Sequence, residues 1–267
     1  MTRRLAAFAA LLAIGAVACR AIPAPTDGVL SLSSVHLPSP AVVVNDTMRD
    51  SAGLIAPLGV TAFGVGGESD TLMNVKPTFL VFDPGAHVTP EGYLVGDSVR
   101  DTPVRVIASV GTLQTSTTNV DVIPRPDSLA ANGPTTASPD TFSVTDPNSV
   151  YTKTVSAKVL SAGQPVRSVI VRWTIVGQPA TADTAPTGTL VSAAKRPVSA
   201  DTSDATGSVS VGMLLDVAAL NALSAPDSFV VEASMSYAGV PLHGSPVRFV
   251  FPVVPAPKTQ SSRSGNP

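Results

Sequence analysis

Cys19 has the most distinctive chemistry in this sequence, because it is the only cysteine among the 267 residues. A single thiol excludes a disulfide within the chain, although an oxidising compartment would permit one. The residue comes directly after Leu5–Ala18, fourteen uncharged and almost wholly apolar residues that follow the positive pair Arg3 and Arg4. Because this place lies ahead of any folded domain, we do not expect a catalytic thiol.

The segment before Cys19 has the length and the flanks of a targeting signal. Fourteen residues at a rise of 1.5 Å span about 21 Å of helix, which is short of the roughly 30 Å hydrocarbon core of a membrane. A positive start, an apolar run and small residues at its end are typical of a secretory signal peptide. The sequence therefore predicts a signal peptide at residues 1–18, which is left out of the fold.

The junction of this segment with Cys19 resembles the lipobox of bacterial lipoproteins, in which the cysteine is lipidated and becomes the first residue. Ala18 fits that pattern, and Ala16 departs from it because the family usually has Leu there. The resemblance implies a lipid anchor on Cys19, and Arg20 in place of Asp implies sorting to the outer membrane. An ordinary Ala-x-Ala cleavage site, which would leave a secreted chain with a free thiol, and an uncleaved anchor remain alternatives.

No other residues show the spacing of a catalytic or metal site. His36, His87 and His243 each lack a second ligand within the next few positions, as local metal sites require. The sequence has no G-x-S-x-G or H-E-x-x-H motif, although a Ser-His-Asp site assembled from distant positions stays open. Asp121 and Asp127 could bind calcium between two domains, but few acids stand near them, which favours solvated loops. We predict no catalytic residue, no metal and no cofactor.

The composition excludes several classes of protein. Charged residues make up 13% of the chain, the net charge is −2 and there is no basic block, which argues against a nucleic-acid partner. Apolar residues make up 44%, enough for a core, but only 4% of residues are aromatic and 25 are proline. Apolar runs interrupted by Pro, Gly, Ser and Thr rule out a coiled coil or helical bundle.

Alternating side chains predict β-strands. In Val169–Val176 the side chains of Val171 and Trp173 fall on one face and that of Arg172 on the other, a period of two. The second half of the chain repeats this alternation at Tyr151–Val159, Val209–Val211, Phe229–Tyr237 and Val247–Val253. The first half shows it with less contrast at Val29–Leu32, Ala41–Val44, Leu58–Gly64, Phe79–Phe82, Gly92–Val95, Val104–Ser109 and Thr117–Ile123.

Short strands separated by Gly and Pro turns predict an all-β fold of two tandem immunoglobulin-like antiparallel β-sandwiches after the N-terminal signal peptide. Pro124–Asp127 breaks the last strand of the first half and supplies a stiff connector. The chain then divides into a tether at 19–26, sandwiches at 27–123 and 124–254, and a disordered tail at 255–267. The second sandwich is long, so we expect loop insertions at Gln178–Pro186, Ala193–Ser203 and Met213–Pro226, the last with one or two helical turns.

Three apolar residues are expected in the core of the second sandwich: Trp173, Val171 and Phe249. Trp173 is the only tryptophan, and it shares a face with Val171, as a core residue between two sheets does. A platform for stacking a sugar is the alternative for Trp173. If the last strand, which contains Phe249, is an exposed edge, Pro252 partly protects it against pairing with another chain.

The second half resembles bacterial immunoglobulin-like domains of the invasin and intimin type. The order of short motifs carries the resemblance: Gly163-Gln164-Pro165-Val166, the valine strand with Trp173, Gly188-Thr189-Leu190, and Asp204-Ala205-Thr206-Gly207 before Val209–Val211. The first half resembles the second group of such domains more loosely. Domains of this type occur in surface adhesins, as stalks and as appendages of enzymes, so the resemblance implies a fold and no single function.

These observations favour a non-enzymatic lipoprotein of the bacterial cell envelope that acts as a surface, adhesion or structural stalk module. Its partners would be the membrane, through the anchor on Cys19, and a protein or glycan at exposed loops or sheet edges. The implied location is the outer membrane, facing the periplasm or the cell surface. An accessory subunit of an envelope export or assembly complex is the alternative, and a carbohydrate-active or hydrolytic enzyme is the third.

Overall fold

The computed structural model describes residues 28–69, 71–72, 75–136, 140–141, 152–179, 188–192, 194–215, 223, 225 and 227–254. These residues form strands and turns with a short 3-10 turn at Gly67–Ser69, and they include no α-helix. None of their helical segments has the length and apolar content needed to cross a bilayer. The prediction of an all-β fold is confirmed, whereas the predicted signal peptide, Cys19, the tether and the tail lie outside the described residues.

The first sandwich has ten short strands among its described residues. They are β1 (Ser31–Leu32), β2 (Ala41–Val43), β3 (Ala62–Phe63), β4 (Thr71–Leu72), β5 (Thr78–Val81), β6 (Ala86–Val88), β7 (Leu94–Gly96), β8 (Val104–Val110), β9 (Leu113–Gln114) and β10 (Thr118–Ile123). The main sheet has the order β2-β10-β8-β5, with β9 beside β8, and two small sheets, β1-β3-β4 and β6-β7, complete the domain. The buried side chains of β8 and β10 pack against Met48, Leu58 and Leu94 between these layers.

The second sandwich has twelve strands among its described residues. They are β11 (Ser128–Ala131), β12 (Asp140–Thr141), β13 (Thr152–Ser161), β14 (Gln164–Pro165), β15 (Ile170–Gly177), β16 (Gly188–Val191), β17 (Ala200–Thr202), β18 (Ser208–Leu215), β19 (Asp227–Ser234), β20 (Ser236–Tyr237), β21 (Val240–Pro241) and β22 (Val247–Val254). One sheet has the order β11-β13-β18-β16 and the other β12-β22-β19-β15-β17.

The strand order of the second sandwich is that of the immunoglobulin fold, which pairs strands ABED in one sheet and CFG in the other. In the second sandwich β15 is strand C, and β17 is an extra edge strand beside it. In each sandwich an early strand runs parallel to the last one: β2 beside β10, and β12 beside β22. The two tandem sandwiches therefore share this parallel pairing at the edge of one sheet.

The long strands of the second sandwich alternate as the sequence predicts, because residues on one face of each strand pack between the two sheets. Along β18 every second side chain is buried, namely those of Val209, Val211, Met213 and Leu215. The first sandwich has shorter strands, because several of its backbone pairings are isolated β-bridges rather than continuous runs of paired residues. Examples are the bridges of His36 with Gly59 and of Thr47 with Val95. This is why the predicted strand Leu58–Gly64 reduces to Ala62–Phe63.

The structure corrects the bounds of two predicted insertions in the second sandwich and answers the question of whether its last strand is an edge. Ala193–Ser203 is not only a loop insertion, because it contains β17, which pairs with β15. The predicted insertion at Met213–Pro226 begins inside β18, and residues 216–222, where helical turns were expected, lie outside the described residues. The last strand, β22, is not an exposed edge, because β19 lies on one side and β12 on the other.

Candidate functional site

The sequence-predicted site residues do not meet in a cleft. Trp173, Val171 and Phe249 lie buried in one apolar cluster of the second sandwich, and the ring centroids of Trp173 and Phe249 are 6.0 Å apart. Trp173 is only 2% exposed, which leaves no free face for a sugar. His36, His87 and His243 are exposed on separate elements, and Cys19 lies outside the described residues.

The polar side chains that do converge lie where the two sandwiches meet. Strand β10 ends at Ile123 and β11 begins at Ser128, so four residues connect the domains. A connector this short holds the end of one sandwich directly against the end of the other. The junction is therefore the place to look for a functional site.

An apolar centre joins the sandwiches. Ala41, Val43 and Ile123 belong to the first sandwich, yet their buried side chains form one continuous cluster with the core of the second. Each fully buried aliphatic side chain stabilises such a contact by about 1.5–3 kcal/mol. The core of the second sandwich thus extends across the domain boundary.

On one flank of this centre, the hydroxyl of Tyr237 donates a hydrogen bond to the carboxylate of Asp46 across the junction. The same carboxylate accepts hydrogen bonds from Arg49, at 2.9 Å from Nε and 3.2 Å from Nη2. The guanidinium groups of Arg49 and Arg125 stand 5.8 and 5.1 Å from the centroid of the Tyr237 ring. Tyr237 is thereby held by a carboxylate of the first sandwich and by cations of the first sandwich and the connector.

This network shifts the proton equilibria of its members. Burial raises the pKa of Asp46, but hydrogen bonds from Arg49, Tyr237 and the N–H of Thr47, with the charge of Arg49, outweigh it and hold that pKa below its ordinary value of 3.8. Burial, reinforced by Asp46, raises the pKa of Tyr237 to about 12. At neutral pH an ionised carboxylate therefore faces a protonated phenol, the pair that forms a charge-assisted hydrogen bond.

On the opposite flank Asp121, on β10, holds the second sandwich. Its carboxylate forms an ion pair with Arg167, with Oδ1 and Nη2 2.9 Å apart, and accepts a hydrogen bond from the hydroxyl of Ser168. Arg167 also donates to the carbonyl of Asp101 at 2.6 Å. The expectation of a solvated loop at Asp121 was wrong, because the side chain is largely buried between the domains. Arg167 supplies a positive charge beside this carboxylate.

A third contact closes the junction between these flanks. Arg172, on β15, donates from Nη2 to the carbonyl of Ser51 at 2.7 Å. Gly53 adopts a φ of +85°, and a Cβ atom there would lie 3.2 Å from the backbone nitrogen of Gly239 in the other domain. The loop 50–56 of the first sandwich thus lies directly against the β20–β21 turn of the second.

Backbone strain concentrates at this boundary. Asn45, Ser168 and Ala238 are non-glycine residues with φ values of 58°, 59° and 50°, in the left-handed region. Asn45 adjoins Asp46, Ser168 donates to Asp121, and Ala238 follows Tyr237. A left-handed conformation is unfavourable for L-residues and persists only where surrounding contacts enforce it. Ala238 with Gly239 forms the two-residue turn between β20 and β21, whereas Asn45 and Ser168 lie beside the two carboxylates that cross the junction.

The contacts surround a junction cleft of about 350 Å³, which residues of both sandwiches line. Its floor includes Ala41, Val43, Ile123 and Met235, and its rim carries the hydroxyls of Ser39, Thr47, Ser51, Ser168, Ser234, Ser236 and Ser245. Two carboxylates also face it, and both have structural partners. Asp50 accepts the N–H groups of Ala52 and Leu54 at 2.9 and 3.0 Å, and Glu232 accepts Arg248 at 2.8 Å.

The chemistry of this arrangement is adhesion between two domains. Each acidic group here accepts hydrogen bonds from a backbone N–H, a hydroxyl or an arginine. These bonds stabilise the ionised carboxylate and fix the position of its side chain. Among the described residues no group of three or more metal-ligating side chains comes together. The residues of the site therefore hold surfaces in place.

Sequence reasoning missed most of this site. Asp46, Arg49 and Tyr237 carry no motif, and Tyr237 was expected as part of one long strand that in fact breaks at Met235 into β19 and β20. The usable signal was the connector, since four residues force two domain ends together.

Comparison with known proteins finds similarity of structure only. No family model matches the sequence, and no curated protein matches it. The chain is similar to the D0-D1 domain of Intimin, with 16% identity over 84% of this chain and 98% of that chain and a TM-score of 0.27. It is also similar to the Yersinia pseudotuberculosis adhesin InvE (14% identity, 85% and 61% of the two chains, TM-score 0.28) and to domains 1-6 of the surface layer protein SbsC (15%, 86% and 28%, TM-score 0.30). The proposal for the function is therefore based on the contacts at the junction of the two sandwiches.

Proposed function

We propose that this protein is a non-enzymatic lipoprotein of the cell envelope whose two sandwiches form one stiff spacer, a structural stalk or adhesion module. The observation that carries the proposal is the junction. An apolar centre and polar contacts on two flanks join the domains, and a two-domain chain that only needed to be tethered would require neither.

The two flanks matter because a single contact permits rotation. The bond of Tyr237 to Asp46 and the ion pair of Arg167 with Asp121 are separate contacts, and a rotation of one sandwich against the other would have to break both. Rotation would also expose Ala41, Val43 and Ile123, which lie buried against the second sandwich. The proposed stiffness follows from the cost of breaking these contacts together.

The ends of the described chain support the spacer. Val29 packs with Val110 at the end of β8 that lies away from the junction. Strand β22 starts at Val247, next to the junction, and ends at Val254, where it pairs with the far end of β19. The chain thus enters at one end of the pair of sandwiches and leaves at the other, as a module that separates two attachments must.

The anchor in this proposal is a lipid on Cys19. Several acyl chains, at about 0.8 kcal/mol for each buried methylene, would hold the chain in a membrane, whereas one chain binds only reversibly. The tether 19–26 would then join the lipid to the far end of the first sandwich. The second sandwich would be presented away from the anchored end.

The test of the anchor is mass spectrometry of the mature N-terminus of the full chain, purified in detergent from the membranes of a double-membraned bacterium. We expect a diacylated or triacylated Cys19, and we expect Cys19→Ser to abolish acylation. A matched Ser31→Ala variant, at an exposed position of β1, should remain acylated. An unmodified Cys19, or a mature chain that starts downstream of it, would overturn the anchored spacer.

A further inference from the structure

The outer edge of β5 is unshielded, whereas the other sheet edges among the described residues are closed or short. Bridges from Val95 and Gly96 close the side of β2, His243 closes β11 and Pro197 closes β16. The edge strand β17 has three residues and carries a charge, Asp201. Strand β5 has four residues and no charge, and no other strand in the described part of the chain pairs with its outer side, so it is the kind of edge that proteins usually protect.

The backbone of β5 shows which groups this edge presents. On the β10 side, Ala108 of β8 accepts the N–H of Thr115 at 2.9 Å and donates its own N–H to the Thr115 hydroxyl at 3.0 Å. Because backbone groups alternate along a strand, those of Arg105 and Ile107 face β5. The N–H of Phe82 donates to Arg105 accordingly, at 3.0 Å. Since backbone groups alternate along a strand, the N–H and C=O groups of Phe79 and Val81 point out of the sheet.

From this edge we infer that β5 pairs with β5 of a second copy of the chain, antiparallel across a two-fold axis at Leu80. Phe79 and Val81 lie one residue to each side of Leu80. The axis therefore places Phe79 of one copy opposite Val81 of the other, and the two pairs exchange four backbone hydrogen bonds. A two-fold interface must be self-complementary in this way.

The side chains of the edge fit the same register. Leu80 and Phe82 are each 52% exposed on the outer face of β5, although both are large and apolar. Across the axis Leu80 would meet Leu80 of the second copy, and Phe82 would meet Thr78. Residues opposite each other outside the hydrogen-bonded pairs have Cα atoms about 4.5 Å apart, so their side chains pack closely.

The charges beside the strand favour the antiparallel arrangement over a parallel stack. Lys76 precedes β5 and Asp83 follows it, with the uncharged residues 77–82 between them. A parallel stack in register would set Lys76 beside Lys76 of the next copy. The two-fold pairing separates these lysines and brings each to the end of the partner strand that carries Asp83.

The axis also fixes how two modules would lie. Strand β8 runs from the junction towards the far end of the first sandwich, and β5 runs antiparallel to it along the same axis. Antiparallel pairing of β5 with β5 of a second copy therefore makes the two modules antiparallel. If the lipid anchor of the proposed function holds, two paired copies in one membrane lie along its surface. The pairing itself does not depend on the anchor.

Disulfide trapping of the full chain tests the register. Leu80→Cys places one thiol on the axis, where a Cα separation of about 4.5 Å suits a disulfide, and mild oxidation should give a covalent dimer. Thr78→Cys is the matched control, since its two copies would stand four residues, about 14 Å, apart and should not join. Thr78→Cys mixed with Phe82→Cys should join again. The wild-type chain, with Cys19 alone, gives the background.

Equal dimer from Leu80→Cys and Thr78→Cys, or no dimer from Leu80→Cys above the wild-type level, would overturn the pairing. A disulfide of Leu80→Cys to a different protein would also overturn it, because the edge would then serve another partner. Sedimentation of the folded chain in detergent gives a second measure. We expect Leu80→Lys to abolish a concentration-dependent dimer that Val65→Lys, at an exposed turn, retains; a dimer unchanged by Leu80→Lys would contradict the proposal.

Discussion

The hydroxyl of Tyr237, in the second sandwich, donates a hydrogen bond to the carboxylate of Asp46, in the first, 191 positions away in the sequence. This bond joins two domains that a four-residue connector already brings together. Asp46 is also the group that Arg49 holds in place, so a rigid element of the first sandwich presents the acceptor. Tyr237 thus links the orientation of the second sandwich to the fold of the first.

Removal of this hydroxyl should uncouple the sandwiches. Tyr237→Phe keeps the ring between Arg49 and Arg125 but loses a hydrogen bond to a charged group, which contributes about 1.5–3 kcal/mol. We expect urea unfolding to lose that much free energy and to split into two transitions, followed by circular dichroism and by the fluorescence of Trp173. Tyr93→Phe is the control, since the hydroxyl of Tyr93 has no hydrogen-bond partner among the described residues. Equal losses in the two variants would contradict a role for the Tyr237 hydroxyl.

The hydrogen bond between Tyr237 and Asp46 should contribute fully to the free energy of unfolding between about pH 4 and pH 10. The pKa of Asp46 is lowered in the folded chain, so its contribution to stability is present above its ordinary pKa of 3.8 and is lost as pH falls through the folded value. The pKa of Tyr237 is raised from 10.0 to about 12, so its contribution is present below pH 10.0 and is lost as pH rises towards 12. Unfolding free energy measured against pH should decline at both ends.

Asp46→Asn separates this contribution from those of other acids. The variant should be less stable at neutral pH, and its free energy of unfolding should fall less between pH 4 and pH 2 than that of the wild type. Asp201→Asn, in the exposed edge strand β17, should follow the wild-type curve. An acid decline as steep in Asp46→Asn as in the wild type would assign the effect to other carboxylates.

A methyl group at Gly53 should disturb the junction more than one at Gly239. Both glycines have a positive φ, +85° and +79°, so alanine strains both by about 1–2 kcal/mol. Only at Gly53 does the new Cβ approach the other domain, 3.2 Å from the nitrogen of Gly239, whereas nothing lies within 4 Å of a Cβ at Gly239. Gly53→Ala should therefore broaden the distribution of interdomain distances and Gly239→Ala should not. The reverse order would place the contact elsewhere.

Trp173 should tolerate phenylalanine far better than alanine. Its indole N–H is buried and has no hydrogen-bond partner among the described residues, an arrangement that costs about 1–3 kcal/mol. Trp173→Phe loses packing but removes that donor, so we expect a net loss below about 2 kcal/mol. Trp173→Ala, like Phe249→Ala, should cost about 3–5 kcal/mol in urea unfolding. A Trp173→Phe loss as large as that of Trp173→Ala would show that the N–H is satisfied.

The sequence predicts the second sandwich better than the first, and the reason is local. The alternation of buried and exposed residues along β15, β18 and β19 depends only on neighbouring residues, so it can be predicted from the sequence alone. In the first sandwich, bridges such as Thr47 with Val95 depend on residues far apart, and the strands they replace were overestimated. Strand β17 was missed because its three residues are all exposed and show no alternation.

The junction was out of reach for a related reason. The carboxylate of Asp121 has no distinguishing neighbours in sequence, and only the fold brings Arg167 to it. The same holds for Asp46 and Tyr237, which become partners only when two complete sandwiches are docked. Connector length indicates that the domains touch, whereas the residues that touch follow from three-dimensional packing.

The most direct test of the stiff spacer is the distribution of distances between spin labels on the two sandwiches. Labels at Val65→Cys and Val176→Cys, both at exposed positions, report on the far parts of the two domains in the full chain with Cys19→Ser. We expect one narrow distribution that broadens when Asp46→Asn and Arg167→Ala are combined. A distribution that is already broad before these substitutions, and that they leave unchanged, would contradict the account.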